Sequence, residues 1–137
     1  MKNLLLTISM LFLFQITGAQ TINLQADSIR IRFQNQHGSW NQWQPNEYCN
    51  VPILFSPDLN MIRIKNANDM TFSILKGPNT KWFESQDYEG RHLVIVVYKN
   101  PDNTYNVMLQ YDNIYDKGLL LAPGYSYQYW HCKKVKQ

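Results

Sequence analysis

The sequence predicts an all-β domain, an antiparallel meander of about seven to nine short strands that closes into a small barrel in preference to a sandwich. Three observations predict this fold. Apolar and polar residues alternate with a period of two along most of the chain, residues typical of tight turns separate these runs, and no stretch of about ten residues has the apolar spacing of a helix. With 137 residues, of which 45% are hydrophobic, the chain can bury the core of one domain.

The N-terminus has the three parts of a signal peptide. Met1-Lys2-Asn3 gives a short positive start, an apolar run extends from Leu4 to Phe14, and Thr17-Gly18-Ala19 offers small residues to a signal peptidase. The apolar run is shorter than the roughly 20 residues needed to cross a bilayer, and a retained signal anchor is the alternative interpretation. We therefore predict a signal peptide over residues 1–19 and a single all-β domain over residues 20–137, exported to the periplasm or secreted.

The first predicted strand shows the alternation clearly, because Ile29, Ile31 and Phe33 alternate with polar residues at 28, 30 and 32. Further strands are predicted at 62–65, 70–74, 93–98, 105–111 and 125–130. The strand at 93–98 is apolar on both faces, which is typical of a central strand.

Turn residues mark the connections, at 56–60, 66–69, 77–79 and 100–103. The turn at 100–103 joins the two clearest strands and predicts a hairpin of residues 91–98 with 104–111. Residues 112–121 have no regular pattern and are predicted as a single helical turn or an irregular crossing.

Cys49 and Cys132 both lie in the predicted mature domain. Export to an oxidising compartment makes a disulfide between them the first interpretation. Such a bridge would close a loop of about 83 residues and, on the loop-entropy model, stabilise the fold by roughly 4–5 kcal/mol. Two free, buried thiols are the alternative.

The polar residues give little indication of catalysis. His37, His92 and His131 lie in three separate segments without the spacing of a metal site, so neither a metal nor another cofactor is predicted. Glu84, Asp87 and Glu89 precede the strand at 93–98 and could supply the paired carboxylates of a glycosidase if they faced a cleft. A solvated turn is the favoured interpretation, and the sequence leans against an enzyme.

Aromatic residues are the one compositional excess, at 14% of the chain. Exposed Trp and Tyr side chains on a rigid sheet can stack on sugar rings, while neighbouring polar side chains bind the hydroxyls. The predicted ligand-binding residues are Trp40, Trp43, Trp82, Tyr125, Tyr127 and Tyr129. The alternative is that these rings pack in the core, since strands favour aromatic residues.

Two short motifs resemble the lipocalin family. Gly38-Ser39-Trp40 is similar to the Gly-x-Trp signature near the first strand of that barrel, and Gln86-Asp87-Tyr88 is similar to its later Thr-Asp-Tyr segment. This resemblance implies a cavity for a small apolar ligand. More broadly, the Ala-Gln end of the leader, the Ile-x-Ile-x-Phe strand and the Trp-x-x-Trp segment resemble small secreted all-β proteins of Bacteroidota that have no assigned function.

Together these observations predict a binding or interaction module of the cell envelope, without evident catalysis, that holds a glycan or another ligand on an aromatic face. The alternatives are a lipocalin-like barrel for a small apolar ligand and a structural subunit of a surface assembly, which would expose an edge strand or an apolar patch. The formal net charge of +3 is too small to demand nucleic acid or an acidic membrane as partner, and the predicted mature chain has no membrane-length apolar stretch.

Overall fold

The computed structural model describes residues 22–58, 60–66, 69–79 and 82–135, so the predicted signal peptide lies outside the described residues. The described residues form ten strands and no helix, and therefore contain no helix that could cross a membrane. The strands are β1 (Ile22–Phe33), β2 (Glu47–Phe55), β3 (Met61–Lys65), β4 (Asp69–Asn79), β5 (Trp82–Gln86), β6 (His92–Lys99), β7 (Tyr105–Tyr111), β8 (Ile114–Asp116), β9 (Leu119–Ala122) and β10 (Tyr125–Lys134).

Eight of these strands close an antiparallel barrel in the order β1-β10-β7-β6-β5-β4-β3-β2. Neighbours in the barrel are mostly neighbours in the chain, and the pairing of β10 with β1 closes the sheet. The prediction of an all-β barrel is confirmed, and so is the hairpin predicted for 91–98 and 104–111, which β6 and β7 form. Closure pairs both edges of the sheet and so removes a surface that would recruit other chains.

The barrel interior is packed with apolar side chains. One inward row crosses five neighbouring strands, where Phe83, Ile95, Leu109, Tyr127 and Ile31 stand opposite one another. The largest fully buried side chains include Tyr129, Phe55, Phe83, Leu24 and Ile53. Because alternate residues of a strand point to opposite faces, the predicted period of two supplies this core directly.

The connections lie at two ends of the barrel. One end carries the turns 56–60 and 100–104. The other end, which we call the loop end, carries the segment 34–46 after β1, the turn 87–91 after β5 and residues 112–124 after β7. Antiparallel strands alternate in direction, and this alternation brings three segments that are distant in sequence to the same end.

Residues 112–121 form a hairpin instead of the helical turn or irregular crossing that the sequence predicted. β8 pairs with β9 outside the barrel, and Lys117 and Gly118 form the turn with φ angles of 49° and 80°. The pattern gave no strand signal because Leu119, Leu120 and Leu121 do not alternate, and all three side chains are exposed.

The predicted disulfide between Cys49 and Cys132 is wrong, because both thiols are free. Cys49 lies on β2 and Cys132 on β10, and β1 runs between these strands. Two strand spacings, about 9.5 Å, separate the two backbones, whereas a disulfide needs Cα atoms within about 7 Å. The Cys49 thiol instead lies 3.8 Å from the Ala26 carbonyl oxygen of the intervening strand, and the Cys132 thiol lies 3.7 Å from Tyr129 O.

Candidate functional site

Two segments of the loop end are held together by hydrogen bonds centred on Asn113. Its backbone N–H donates to Gln34 Oε1 at 2.7 Å, and its side-chain amide donates to Asn35 O at 2.7 Å. Its Oδ1 accepts from the Gly124 N–H at 2.6 Å, and the Gln34 N–H donates to Gly124 O at 2.9 Å. These bonds fix the base of the β8–β9 hairpin against the segment that follows β1.

Arg91 joins the turn 87–91 to the same assembly. Its guanidinium donates to Asp112 O at 3.2 Å and to Pro123 O at 3.0 Å, and its Cζ lies 4.9 Å from the centroid of the Tyr111 ring. Asp87 accepts from the Arg91 N–H and from the Tyr111 hydroxyl, each at 2.9 Å. Burial, and then the bond to Asp87, raise the pKa of Tyr111, so its hydroxyl keeps the proton that it donates. Asp87 therefore stabilises the turn.

An alternating stack of indoles and guanidinium groups lies on the outer surface of β1. The order along the stack is Trp40, Arg32, Trp43, Arg30 and Trp130, and we call these five residues the Trp–Arg ladder. The distances from each arginine Cζ to the neighbouring ring centroid are, in that order, 4.7, 4.3, 4.4 and 4.3 Å. All five side chains are half-buried. Each contact is a cation–π interaction, worth about 0.5–2 kcal/mol according to its exposure.

The ladder forms because the chain folds back along β1 after the loop end. The Asn41 N–H donates to Phe33 O at 2.9 Å, and the Gln44 N–H donates to Ile31 O at 2.8 Å. These bonds extend the β1–β2 pairing and place Trp40 and Trp43 beside the outward side chains of β1. Trp130 reaches the stack from β10, the other neighbour of β1.

The two arginines of the ladder have amide partners and no carboxylate partner among the described residues. Arg30 Nε donates to Gln128 Oε1 at 2.9 Å, and Arg32 Nη2 lies 3.5 Å from Gln110 Oε1. Burial lowers the pKa of both guanidinium groups, and Arg32 lowers that of Arg30 further by charge repulsion. The ladder is thus a concentrated, partly desolvated positive charge.

An open groove of about 730 Å³ lies beside the ladder, on the outer surface of β5, β6 and β7. Glu84, Val94 and Gln110 stand opposite one another on these three strands and line the groove. Its other lining residues are Glu89, Gly90, Arg91, His92, Leu93, Asp112, Asn113 and Ile114. We call this feature the outer groove. It meets the ladder at Gln110, which contacts Arg32.

Strand register brings the third predicted tryptophan to the same surface. An outward row runs from Trp82 through Val96, Met108 and Gln128 to Arg30. It lies next to the row that contains Glu84, one same-face step of about 7 Å away. Trp82 therefore lies one same-face step beyond Glu84, next to the outer groove but outside its lining, and the ladder meets the groove at Gln110.

The predicted tyrosine face has a different position from the tryptophans. Tyr125, Tyr127 and Tyr129 point into the barrel, opposite Phe33, Ile31 and Ile29 on β1. Tyr129 is fully buried, and the other two pack against the core. The three rings follow the core alternative, since inward positions of a closed barrel are filled by side chains.

The sequence interpretation missed Arg30, Arg32, Trp130 and Gln110. A signal was present, because these residues occupy the polar phase of their strands, which alternation assigns to the outer face. No sequence pattern predicts that the Trp-x-x-Trp segment folds back across the outer face of β1.

Two further findings concern the metal-ligating residues of the chain and its similarity to known proteins. Within the described ranges, no cluster of three or more His, Cys, Asp or Glu residues could hold a metal ion. Comparison of the chain with protein-family models, curated proteins and solved structures finds no significant match.

Proposed function

We propose that this protein is an exported binding module that holds an extended, hydroxyl-rich ligand, an oligosaccharide, in the outer groove. The observation that carries the proposal is the junction at Gln110, where a groove with carboxylate, imidazole and amide groups continues into a stack of three indoles. Ligand sites combine an apolar surface with a few polar groups that fix orientation, and this surface has both.

The groove residues have the donors and acceptors that sugar hydroxyls require. Glu84, His92 and Asp112 offer carboxylate and imidazole groups along its lining, and Val94 gives an apolar patch between them. Trp82 lies one step along the outer face from Glu84, so its ring can stack on a sugar bound there. The volume of about 730 Å³ is within the usual range for a ligand site, about 300–1,000 Å³.

Trp43 was predicted to stack on a sugar ring, but in the structure its ring contacts arginine side chains instead. Two guanidinium groups already cover its indole, at 4.3 and 4.4 Å. Trp82 is therefore the stacking residue of the proposal, and the ladder supplies hydrogen-bond donors at the end of the groove.

The test is a glycan array followed by calorimetry on the oligosaccharide that binds best. We expect Trp82→Ala and Gln110→Ala each to weaken binding about tenfold, since each removes a stacking or hydrogen-bonding contact of about 1–2 kcal/mol. Tyr48→Ala is the matched control, because this side chain is fully exposed on β2, away from the groove. Failure to bind any glycan, or the same Kd for all variants, contradicts the proposal.

The β8–β9 hairpin supports a second candidate function, as a subunit of a surface assembly. Leu119 and Leu121 are 71% and 64% exposed, and β9 pairs only with β8 among the described strands. A two-stranded sheet with open edges and apolar side chains is a surface that other chains recruit. We infer that copies of the chain associate through this hairpin.

Light scattering over a range of concentrations tests the second function. We expect association that is lost in the Leu119→Ser/Leu121→Ser double variant and kept in Leu75→Ser, which removes a similarly exposed leucine, 51% exposed, from β4. A wild-type protein that stays monomeric at every concentration rules out self-assembly through the hairpin.

A further inference from the structure

We propose that Arg30 and Arg32 form a site for an oxyanion, a carboxylate, sulfate or phosphate group, carried by the ligand at the ladder end of the outer groove. The inference rests on the proposed function for the class of ligand, an oligosaccharide, and adds that this oligosaccharide is acidic.

The first argument is uncompensated charge. The ion pairs recorded among the described residues are Arg63–Asp69 and His131–Asp27, and neither ladder arginine takes part in one. Arg30 and Arg32 lie two residues apart on one face of β1, so two like charges are held about 7 Å apart along the strand. A bound anion would relieve this repulsion, and the amide oxygens of Gln110 and Gln128 relieve it only in part.

The second argument is the direction of the remaining donors. A guanidinium group carries five N–H donors in its own plane, and stacking on indoles covers its faces while leaving its edge for hydrogen bonds. One donor of Arg30 binds Gln128, and one of Arg32 faces Gln110. Arg32 Nε is buried and Arg30 Nε is already bonded, so the donors left for a ligand are those of the Nη groups. Unused in-plane donors are the geometry that binds a carboxylate or a phosphate by two parallel bonds.

The third argument is preorganisation. A free arginine loses rotamer entropy when it orders around an anion, and this loss reduces affinity. In the ladder each guanidinium already lies between two indoles, within 4.7 Å of each ring centroid. Gln110 then connects the site to the groove, so a ligand that fills the groove can place an acidic group against Arg32.

The experiment compares a neutral oligosaccharide that carries one terminal galacturonate with the methyl ester of the same compound, so that the two ligands differ in charge only at the end that reaches the ladder and neither places a carboxylate against Glu84, Glu89 or Asp112 in the groove. We expect the acid to bind at least about tenfold more tightly than the ester, because a charge-assisted hydrogen bond to arginine is worth about 1.5–3 kcal/mol. Arg30→Gln and Arg32→Gln should each remove most of this preference. Arg63→Gln, on the exposed outer face of β3, is the control and should leave the preference unchanged.

A second measurement needs no variant. Because Arg32 contacts the indoles of Trp40 and Trp43, an anion that binds Arg32 should change the tryptophan fluorescence of the wild-type protein. Titration with galacturonate, glucose 6-sulfate and glucose 6-phosphate shows which oxyanion binds most tightly. Should Arg32→Gln fail to fold, Arg32→Lys keeps the charge and removes the planar fork, and a loss of several-fold is then expected.

The outcomes separate the inference from the proposed function. Equal binding of acid and ester, or a preference that survives both glutamine variants, overturns the oxyanion site and leaves a neutral glycan in the groove. A fluorescence response to the acidic monosaccharides, with no added affinity for any oligosaccharide, supports the oxyanion site and overturns the groove. No binding of either kind overturns both.

Discussion

Gly124 is where the loop end is packed most closely. A Cβ atom at this position would lie 2.3 Å from Gln34 Oε1, 2.6 Å from Tyr111 O and 2.8 Å from Asn113 N, and two of these three atoms belong to the backbone. A flexible side chain could move aside, but Tyr111 O and Asn113 N belong to the chain that leads into the hairpin. The close approach therefore requires glycine at residue 124.

We expect Gly124→Ala to lower the free energy of unfolding by about 2–3 kcal/mol, as overpacking of a close contact does. Urea unfolding monitored by circular dichroism measures the change. Gly38→Ala is the matched control in the same loop end, because a Cβ there meets nothing within 4 Å and only its φ of 89° opposes the substitution. We expect Gly38→Ala to lower the free energy of unfolding by about 1 kcal/mol. Equal losses in the two variants would show that steric contact at Gly124 is unimportant.

At the scale of elements, the predictable and unpredictable parts of β1 lie on its two faces. The apolar phase of Ile29 and Ile31 predicts the strand and its inward face, and the structure agrees. The polar residues of the alternation place Arg30 and Arg32 on the outer face but do not predict what covers them. Trp40 and Trp43 are positioned by backbone hydrogen bonds between their segment and β1, and such bonds produce no periodic pattern in the sequence. The sequence therefore predicts which residues of β1 lie on the outer face, but not which side chains they contact there.

The hairpin formed by β8 and β9 shows the same limit for a different reason. Alternation identifies a strand only when one face is buried, and Leu119 to Leu121 are exposed on both faces. Its position is fixed instead by the hydrogen bonds of Asn113, whose partners at 34, 35 and 124 are distant in sequence. A single sequence has no local signal for such an element.

The ladder makes a prediction at this scale about the segment it attaches. Arg30→Met and Trp43→Leu, combined in a double-mutant cycle, should show a coupling energy of about 0.5–2 kcal/mol, because their contact at 4.4 Å is a partly desolvated cation–π pair. The cycle isolates this contact from the apolar area that each variant also loses. Arg30→Met with Trp82→Leu is the control and should give additive effects, since Trp82 lies four strands from Arg30. A coupling near zero for the first pair would mean that the indole packs without electrostatic attraction.

At the scale of the whole molecule, the sequence predicts the barrel, and the closure of the barrel determines that Cys49 and Cys132 are too far apart to form a disulfide. Period-two alternation identifies the strands and their inward residues, and serial turns make neighbouring strands antiparallel. The pairing of the first strand with the last follows from the need to cover edges, which favoured a barrel before any register was known. The register itself was hidden, and it is the register that places β1 between Cys49 and Cys132.

The closed interior also sets how stability depends on alkaline pH. Burial raises the pKa of the Cys132 thiol to about 12, from an ordinary value of 9.0, and raises the pKa of Tyr129 above its ordinary value of 10.0. The unfolded chain loses these protons at lower pH than the folded barrel, so unfolding releases protons and becomes more favourable as the pH rises. The stabilisation is complete below pH 9.0 and is lost above it, first through the thiols of Cys132 and Cys49, and then, above pH 10.0, through Tyr129, Tyr111 and Tyr125 as well, because burial raises the pKa of each of these groups. Each group should contribute a slope of about 1.4 kcal/mol per pH unit within its window.

Urea unfolding from pH 8 to pH 11 measures this dependence. Cys132→Ala removes the more deeply buried of the two thiols, so we expect the free energy of unfolding to fall less steeply between pH 9 and pH 10, even though the cavity lowers stability at every pH by about 1–2 kcal/mol. Tyr129→Phe keeps the ring and removes the titrating hydroxyl, so the slope above pH 10 should become shallower while the onset stays near pH 9. A wild-type stability that is flat between pH 9 and pH 11 would mean that water reaches both groups in the folded state. Such a result would contradict the burial of both side chains in the barrel core.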